Sequence, residues 1–132
     1  MPGPSRNAPC PCGSGRKGKG CCGRYLDGEP APTPEALMRS RYTAYATGAC
    51  GYIVDTTLRG SAHWRDDRAT WLAELRAYTS TVRFEGLVVH SSSADGDAGR
   101  VSFTARLRQG DREVDQHEDS RFQRVAGRWY YA

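Results

Sequence analysis

Residues 71–89 read WLAELRAYTSTVRFEGLVV, and the spacing of the hydrophobic residues changes within this stretch. Before Ser80 the large apolar side chains recur every three or four residues, as on one face of a helix: Trp71, Leu72, Leu75 and Tyr78. From Ser80 onward the period is two, because Val82 and Phe84 alternate with polar residues. The stretch predicts a helix over about residues 66–78 that leads into a strand.

Two more helices are predicted before this stretch. Thr33 can cap the first of them, Pro34 suits its first position, and Gly48 suits its end. A second, shorter helix is predicted over about residues 50–58, and Gly60 ends it. The chain between about residues 34 and 78 is therefore predicted to be mainly helical.

The chain after residue 80 is predicted to form an antiparallel meander of about four strands. Residues 101–107 alternate between apolar and polar side chains, as expected of a strand with one buried face. Turns are predicted at residues 94–97, 109–111 and 126–127, where glycine stands next to aspartate or alanine. Three helices followed by about four strands indicate an α+β fold in which the helices pack on one antiparallel sheet.

Length and hydropathy limit the class of protein. The chain has 132 residues, which allows one compact domain and a small appendage. Its longest apolar runs, such as residues 87–89, are far too short to cross a membrane. The first residues lack the apolar stretch of a secretion signal. We expect a cytoplasmic protein without membrane insertion.

Four cysteines near the N-terminus have the spacing of a zinc site. Cys10 and Cys12 form one pair, Cys21 and Cys22 form another, and four glycines lie in the loop between the pairs. Zinc favours four thiolates in a tetrahedron, so one structural zinc ion per chain is expected, with no position left for a substrate. The alternative is two disulfides, which a reducing cytoplasm disfavours.

The fifth cysteine, Cys50, falls on a predicted helix. A lone helical cysteine is usually a small buried apolar residue. A reactive thiol is the alternative interpretation.

The positive charge of the chain is concentrated around the cysteines. Residues 1–24 carry five basic residues and no acidic residue, whereas the rest carries 14 basic and 15 acidic residues. A local basic surface indicates an acidic partner or a nucleic acid. The alternative is that the basic residues offset the negative charge of a zinc ion held by four thiolates.

The pattern Cys10-x-Cys12-x-Ser14-Gly15-x5-Cys21-Cys22 resembles the SEC-C motif, named for the C-terminal tail of the SecA translocation ATPase. Four further blocks resemble the YchJ family of small bacterial proteins: residues 25–28, 32–45, 117–122 and 127–131. The resemblance implies a zinc module at residues 1–24 and a domain at 34–132. Gly28, Pro30 and Pro32 predict that residues 25–33 between them form a linker. That domain would be cone-shaped and similar to nuclear transport factor 2, a cystatin-like α+β fold.

The resemblance also implies a class of partner. In SecA the module binds zinc and helps to contact the SecB chaperone and ribosomes. A protein partner of this kind would meet the loop residues Arg16, Lys17 and Lys19. Two positions depart from the motif, since Gly18 stands where an aromatic residue is usual and Gly20 where a basic residue is common.

A cavity under the sheet is the other candidate site. If Phe122 faces inward, then Glu118 and Ser120 face inward with it, while His117 faces outward. Aromatic residues that could complete the cavity are Tyr42, Tyr45, Trp71 and Trp129. Glu118 could act as a general acid or base. In the alternative interpretation it pairs with Arg39 or Arg41 and only fixes a helix to the sheet.

Three functions remain open on these observations. The first is a binding or adaptor protein whose zinc module contacts a chaperone or a ribosome. The second is an enzyme that acts on a small organic molecule in the cone-shaped cavity. The third is RNA binding by the basic module. No catalytic constellation names a reaction, and a homodimer through the outer sheet face is compatible with the sequence.

Overall fold

A computed structural model describes residues 2–132 of the chain. A single 3-10 turn at Gly18–Gly20 precedes four helices: α1 (Cys22–Leu26), α2 (Pro34–Thr47), α3 (Cys50–Asp55) and α4 (Arg68–Thr81). Four strands follow: β1 (Val82–Asp95), β2 (Ala98–Gln109), β3 (Arg112–Val125) and β4 (Arg128–Tyr131). The α+β prediction is confirmed.

The four strands form one antiparallel meander in the order β1-β2-β3-β4. The β1–β2 register shifts between Phe84 and Gly86 and again between Val89 and Ser91. Such irregularities bend and twist a sheet. Helix α2 packs against β1, β2 and β4, and α4 packs against β1, so both helices cover one face of the sheet.

Helix α2 begins and ends as the sequence predicts. The Thr33 hydroxyl accepts a hydrogen bond from the Ala36 amide at 3.0 Å, and Pro34 occupies the first position. Gly48 ends the helix in the left-handed conformation, with φ of 76°.

Helix α3 is shorter than predicted, because it ends at Asp55 rather than near residue 58. Residues 56–58 instead continue the edge of the sheet. The Leu58 amide donates to the Tyr131 carbonyl at 2.8 Å, and the Tyr131 amide donates to the Thr56 carbonyl at 2.8 Å. Pairing with β4 therefore overrides the local helical pattern.

Helix α4 is displaced toward the C-terminus relative to the prediction. Asp67 caps it by accepting from the Thr70 amide at 3.1 Å. The helix continues to Thr81, past the predicted end at Tyr78, and β1 starts at Val82 rather than Ser80. The hydroxyls of Thr79, Ser80 and Thr81 donate to carbonyls of the same helix, and β1 begins where Val82 pairs with Gln109 of β2.

The N-terminal segment packs on the domain. One buried cluster joins the four clustered cysteines to core residues such as Leu37, Val101 and Phe122. Tyr25 and Ala31, within the segment predicted as a linker, are buried as well. No helix in residues 2–132 combines the length and the apolar character that crossing a membrane requires.

Candidate metal centre and cavity

The sulfur atoms of Cys10, Cys12, Cys21 and Cys22 lie within 4.8 Å of one another. The Cys12 and Cys21 sulfurs are 3.6 Å apart, and the Cys21 and Cys22 sulfurs are 4.0 Å apart. Four thiolates bound to one zinc ion at ~2.3 Å would be ~3.8 Å apart in a tetrahedron. The four thiols are buried, and none forms a disulfide within residues 2–132. The donor set therefore fits a zinc ion.

A short hairpin brings the first cysteine pair to the second. The Cys10 amide donates to the Arg16 carbonyl at 2.8 Å, and the Gly18 amide donates to the Ala8 carbonyl at 3.0 Å. Gly13 and Gly15 both have positive φ, at 80° and 84°. Only glycine adopts this conformation readily, so the loop reverses within a few residues.

Mutual contacts perturb the cysteine thiols. Hydrogen bonds from the Cys12 and Cys22 thiols lower the pKa of Cys10. The same contact with Cys10 raises the pKa of Cys22. One thiolate therefore suppresses ionisation of its neighbours, and a divalent cation is what would allow all four to ionise together.

Helix α2 anchors the four clustered cysteines to the domain. The Cys10 sulfur lies 3.6 Å from the Thr43 hydroxyl, and the Arg39 guanidinium donates to the Cys12 carbonyl at 2.8 Å. Arg39 is itself held by Glu35, one turn away, at 2.9 Å. The cysteine cluster is thus fixed to α2, and α2 also lines a cavity on the inner face of the sheet.

A cavity of about 260 Å³ lies between α2, α4 and the concave face of the sheet. Four residues that the sequence proposed for it do line it: Tyr42, Tyr45, Glu118 and Ser120. Half of the lining residues are aromatic, and besides Tyr42 and Tyr45 these are Tyr78, Phe84, Phe103, Phe122 and Tyr131. The polar groups from β3 and the buried Arg41 lie in this aromatic wall.

Glu118 forms neither of the ion pairs that the sequence suggested. Within residues 2–132, no basic side chain lies within 4.0 Å of its carboxylate. The Ser120 hydroxyl donates to it instead. Arg41 donates to the Ile53 carbonyl at 2.9 Å and to the Thr56 hydroxyl at 2.7 Å. Backbone and hydroxyl oxygens thus hold Arg41, and Glu118 acts on it only at longer range.

Tyr131 completes the polar side of the cavity. Burial, followed by the negative charge of Glu118, raises the pKa of Tyr131 to about 12. The Arg41 guanidinium stacks over its ring at 4.6 Å from the ring centroid. Tyr131 therefore keeps its proton near neutral pH and can donate a hydrogen bond.

The model of the family described as "YchJ, middle NTF2-like domain" matches residues 33–132. The chain belongs to the YchJ family. A UPF0225 protein from Chromobacterium violaceum is 42% identical over 129 residues, which cover 94% of this chain and 90% of that protein. This similarity therefore extends through the cysteine segment as well.

Two solved structures resemble this YchJ family member over nearly its whole length. A SEC-C motif containing protein from Rhodopseudomonas palustris, solved in solution, is 40% identical with a TM-score of 0.78. The match covers 96% of this chain and 94% of that one. A SEC-C motif containing protein from Psychrobacter arcticus is 25% identical with a TM-score of 0.75, covering 96% and 80% of the two chains.

Gly18 stands where SEC-C motifs usually have an aromatic residue, and the structure leaves no room for a side chain there. A side-chain carbon at Gly18 would lie 2.2 Å from the Ser5 carbonyl oxygen, and one at Gly23 would lie 2.6 Å from the Gly18 carbonyl oxygen. The N-terminal residues therefore fill the space beside Gly18. At Gly20 an added carbon would meet nothing within 4 Å, so no such constraint applies.

Trp71 and Trp129, which the sequence analysis proposed for the cavity, do not line it. Trp71 lies in the first turn of α4 and packs edge-on against Trp64, with 5.3 Å between the ring centroids. Trp129 lies beside Gly99, and the Arg124 guanidinium stacks on its ring at 5.2 Å. The alternation along β1 and β2 could have identified Phe84 and Phe103 instead, because both belong to the inward sets of their strands.

The basic loop residues, His117 and Cys50 all lie outside the cavity lining. Arg16, Lys17 and Lys19 are exposed. His117 lies on the outer face, 3.3 Å from the Thr104 hydroxyl, and is exposed with no link to Glu118. Cys50 is buried with its sulfur 3.8 Å from the Thr79 hydroxyl, as expected of a small core residue.

Proposed function

We propose that the chain binds a small organic molecule in the cone-shaped cavity, and that one structural zinc ion per chain stabilises the helix that lines it. The observation that carries this proposal is the cavity of about 260 Å³ between α2 and the sheet. Ligand sites in proteins are concave, mostly apolar and equipped with a few polar groups, which is the composition of this wall.

The chemistry of the wall indicates what the ligand offers. Aromatic rings provide apolar contact, while the Glu118 carboxylate can accept a hydrogen bond from the ligand. The Tyr42 hydroxyl is buried beside the Gly86 backbone. The polar contacts that the wall offers to a ligand therefore come mainly from Glu118 and Ser120. We infer a small, largely apolar ligand that carries a hydrogen-bond donor.

The proposed zinc ion has a structural role. Cys10, Cys12, Cys21 and Cys22 would supply all four ligands, which leaves no coordination position for a reacting molecule. When bound, the ion would neutralise the thiolates and fix the hairpin to α2. Four reduced thiols also suit a reducing compartment, so we assign the protein to the cytoplasm.

Replacing Ala105 by leucine is expected to weaken ligand binding at least tenfold. Ala105 lies on β2 in the cavity wall, and three added carbon atoms would occupy space that the ligand needs. Binding can be measured by saturation-transfer NMR with benzyl alcohol and benzylamine as probes. The matched control is Val88→Leu on the outer face of the same sheet, where the residue is 58% exposed.

The proposal fails if Ala105→Leu binds the probes as well as Val88→Leu and the unsubstituted protein do. It also fails if no probe binds at all. Glu118→Gln keeps the size of the side chain and removes its charge, so it should weaken benzylamine more than benzyl alcohol. If the bound molecule is also transformed, Glu118 is the group that would accept its proton. That enzymatic extension rests on the same cavity.

Partner docking by the basic loop is a second candidate function. Arg16, Lys17 and Lys19 are exposed, and within residues 2–132 none of them forms an ion pair. Unpaired basic side chains on a metal-anchored loop favour an acidic partner surface. The resemblance to SEC-C modules suggests a ribosome or a chaperone as that partner.

Changing Arg16, Lys17 and Lys19 together to glutamine is expected to reduce co-sedimentation with purified ribosomes several-fold at low salt. The charge-matched control changes Arg83, Arg100 and Arg112 to glutamine, since these three are also exposed. Equal losses in the two variants would mean that only net charge matters. Undiminished co-sedimentation of the loop variant would exclude this docking function.

A further inference from the structure

A second cleft, distinct from the cone cavity, lies between the metal module and helices α3 and α4. Its volume is about 720 Å³. Three parts of the chain form its walls: the N-terminal segment with Arg6, the module with Lys19 and Arg24, and the α2–α3 junction at 48–52 together with Arg76 of α4. Only the docking of the module on the domain brings these parts together.

The charge of this cleft is strongly positive. Four basic side chains line it, against Asp27 as the single acidic one. Arg24 is engaged, because it lies 3.4 Å from Glu29 and donates to the Tyr25 hydroxyl at 2.9 Å. Arg6, Lys19 and Arg76 form no ion pair within residues 2–132. Three cationic groups are thus free to meet an anion.

The floor of the cleft is open backbone. A side-chain carbon added at Gly48 or Gly51 would meet nothing within 4 Å, so a ligand can approach the chain closely there. The one aromatic side chain of the lining, Tyr52, is half-buried, with its hydroxyl 2.7 Å from the Ser40 hydroxyl. The cleft therefore offers charge and backbone contact but no exposed ring on which a nucleic-acid base could stack.

We propose that this cleft binds a small phosphorylated compound through its phosphate groups, with Lys19 and Arg76 as the main contacts. Arginine and lysine are the side chains that best complement phosphate oxygens. The volume lies in the range of small-ligand sites. The phosphate can belong to an inorganic chain or to an organic phosphate, and the cleft recognises the chemistry that the two share.

The test is isothermal titration calorimetry at low ionic strength, with inorganic pyrophosphate and adenosine diphosphate as probes. The variant Lys19→Gln/Arg76→Gln is expected to weaken pyrophosphate binding at least tenfold. The matched control, Arg83→Gln/Arg112→Gln, removes the same amount of charge from exposed residues outside the cleft lining, so its affinity should change less than twofold. Tighter binding of adenosine diphosphate than of pyrophosphate would identify an organic phosphate, and equal binding an inorganic one.

A second measurement needs no substitution. Lys17 and Lys19 are the only two lysines of the chain. In the unsubstituted protein, pyrophosphate should protect Lys19 but not Lys17 from chemical acetylation, as read by mass spectrometry. The proposal is overturned if both lysines are acetylated equally, if the two double variants lose the same affinity, or if an RNA oligonucleotide binds while pyrophosphate does not.

Discussion

Replacing Cys12 and Cys22 by serine is expected to abolish zinc binding and to lower the melting temperature of the whole chain by ~15 °C. The four cysteines belong to the same buried cluster as Leu37, Val101 and Phe122, so they are not a separate unit. Without the metal, buried polar side chains would face one another and the hairpin would lose its anchor on α2. The effect should therefore reach the sheet.

Zinc content by mass spectrometry and unfolding by differential scanning calorimetry measure this effect. Near-ultraviolet circular dichroism should report the same single transition, because Trp71 and Trp129 are buried in the main domain. The matched control is Cys50→Ser, which changes a buried cysteine outside the cluster and should leave zinc bound. If the double variant loses zinc while the main transition stays unchanged, the metal module is independent of the domain.

Replacing Arg41 by methionine is expected to lower the free energy of unfolding by ~3 kcal/mol. Arg41 is buried and donates to the Ile53 carbonyl and to the hydroxyls of Thr56 and Thr57. Its removal leaves these acceptors without their charged partner and loses the stacking on Tyr131. Arg41 thus ties α2 to the end of α3 and to β4 at once.

Urea unfolding measures this loss of stability. The slope of the unfolding free energy against urea concentration should stay unchanged. Arg41→Lys should lie between methionine and arginine, since an ammonium keeps the charge but loses the flat guanidinium that stacks on the Tyr131 ring. The control Arg83→Met, at an exposed position, should change stability by less than ~0.5 kcal/mol. A methionine variant as stable as the original would show that the buried charge is only tolerated.

The cavity of the sheet was only partly predictable from the sequence. Alternation along a strand assigned Glu118 and Ser120 to the inner face, because neighbouring residues in a strand point to opposite sides. The same rule cannot say which aromatic residue of another element will face them. Trp71 was the aromatic residue proposed from α4, yet it packs against Trp64, while Leu75 and Tyr78 of the same helix line the cavity.

The ends of the helices were also only partly predictable from the sequence. The end of α2 was predictable, since Thr33, Pro34 and Gly48 act within one turn of the helix ends. The ends of α3 and α4 were not, because β4, distant in sequence, pairs with residues 56–58, and α4 ends at Thr81 where Val82 pairs with Gln109 of β2. Local propensity is a weak guide wherever such longer-range bonds are available.

The sequence by itself determined the order of α2 to α4 and of the four strands, the inward sets of β2 and β3, and the four clustered cysteines, whereas it did not predict α1 or the register shifts of β1. These follow from spacing along the chain, which fixes side-chain direction and brings thiol pairs together over a few glycine-rich residues. Only the tertiary structure decided that the cysteine module joins the core of the domain, that Arg41 is held by oxygens at the end of α3, and that Lys19 and Arg76 line one cleft. Those arrangements depend on how separate elements pack, and packing is set by the shape of the whole folded chain rather than by any local pattern.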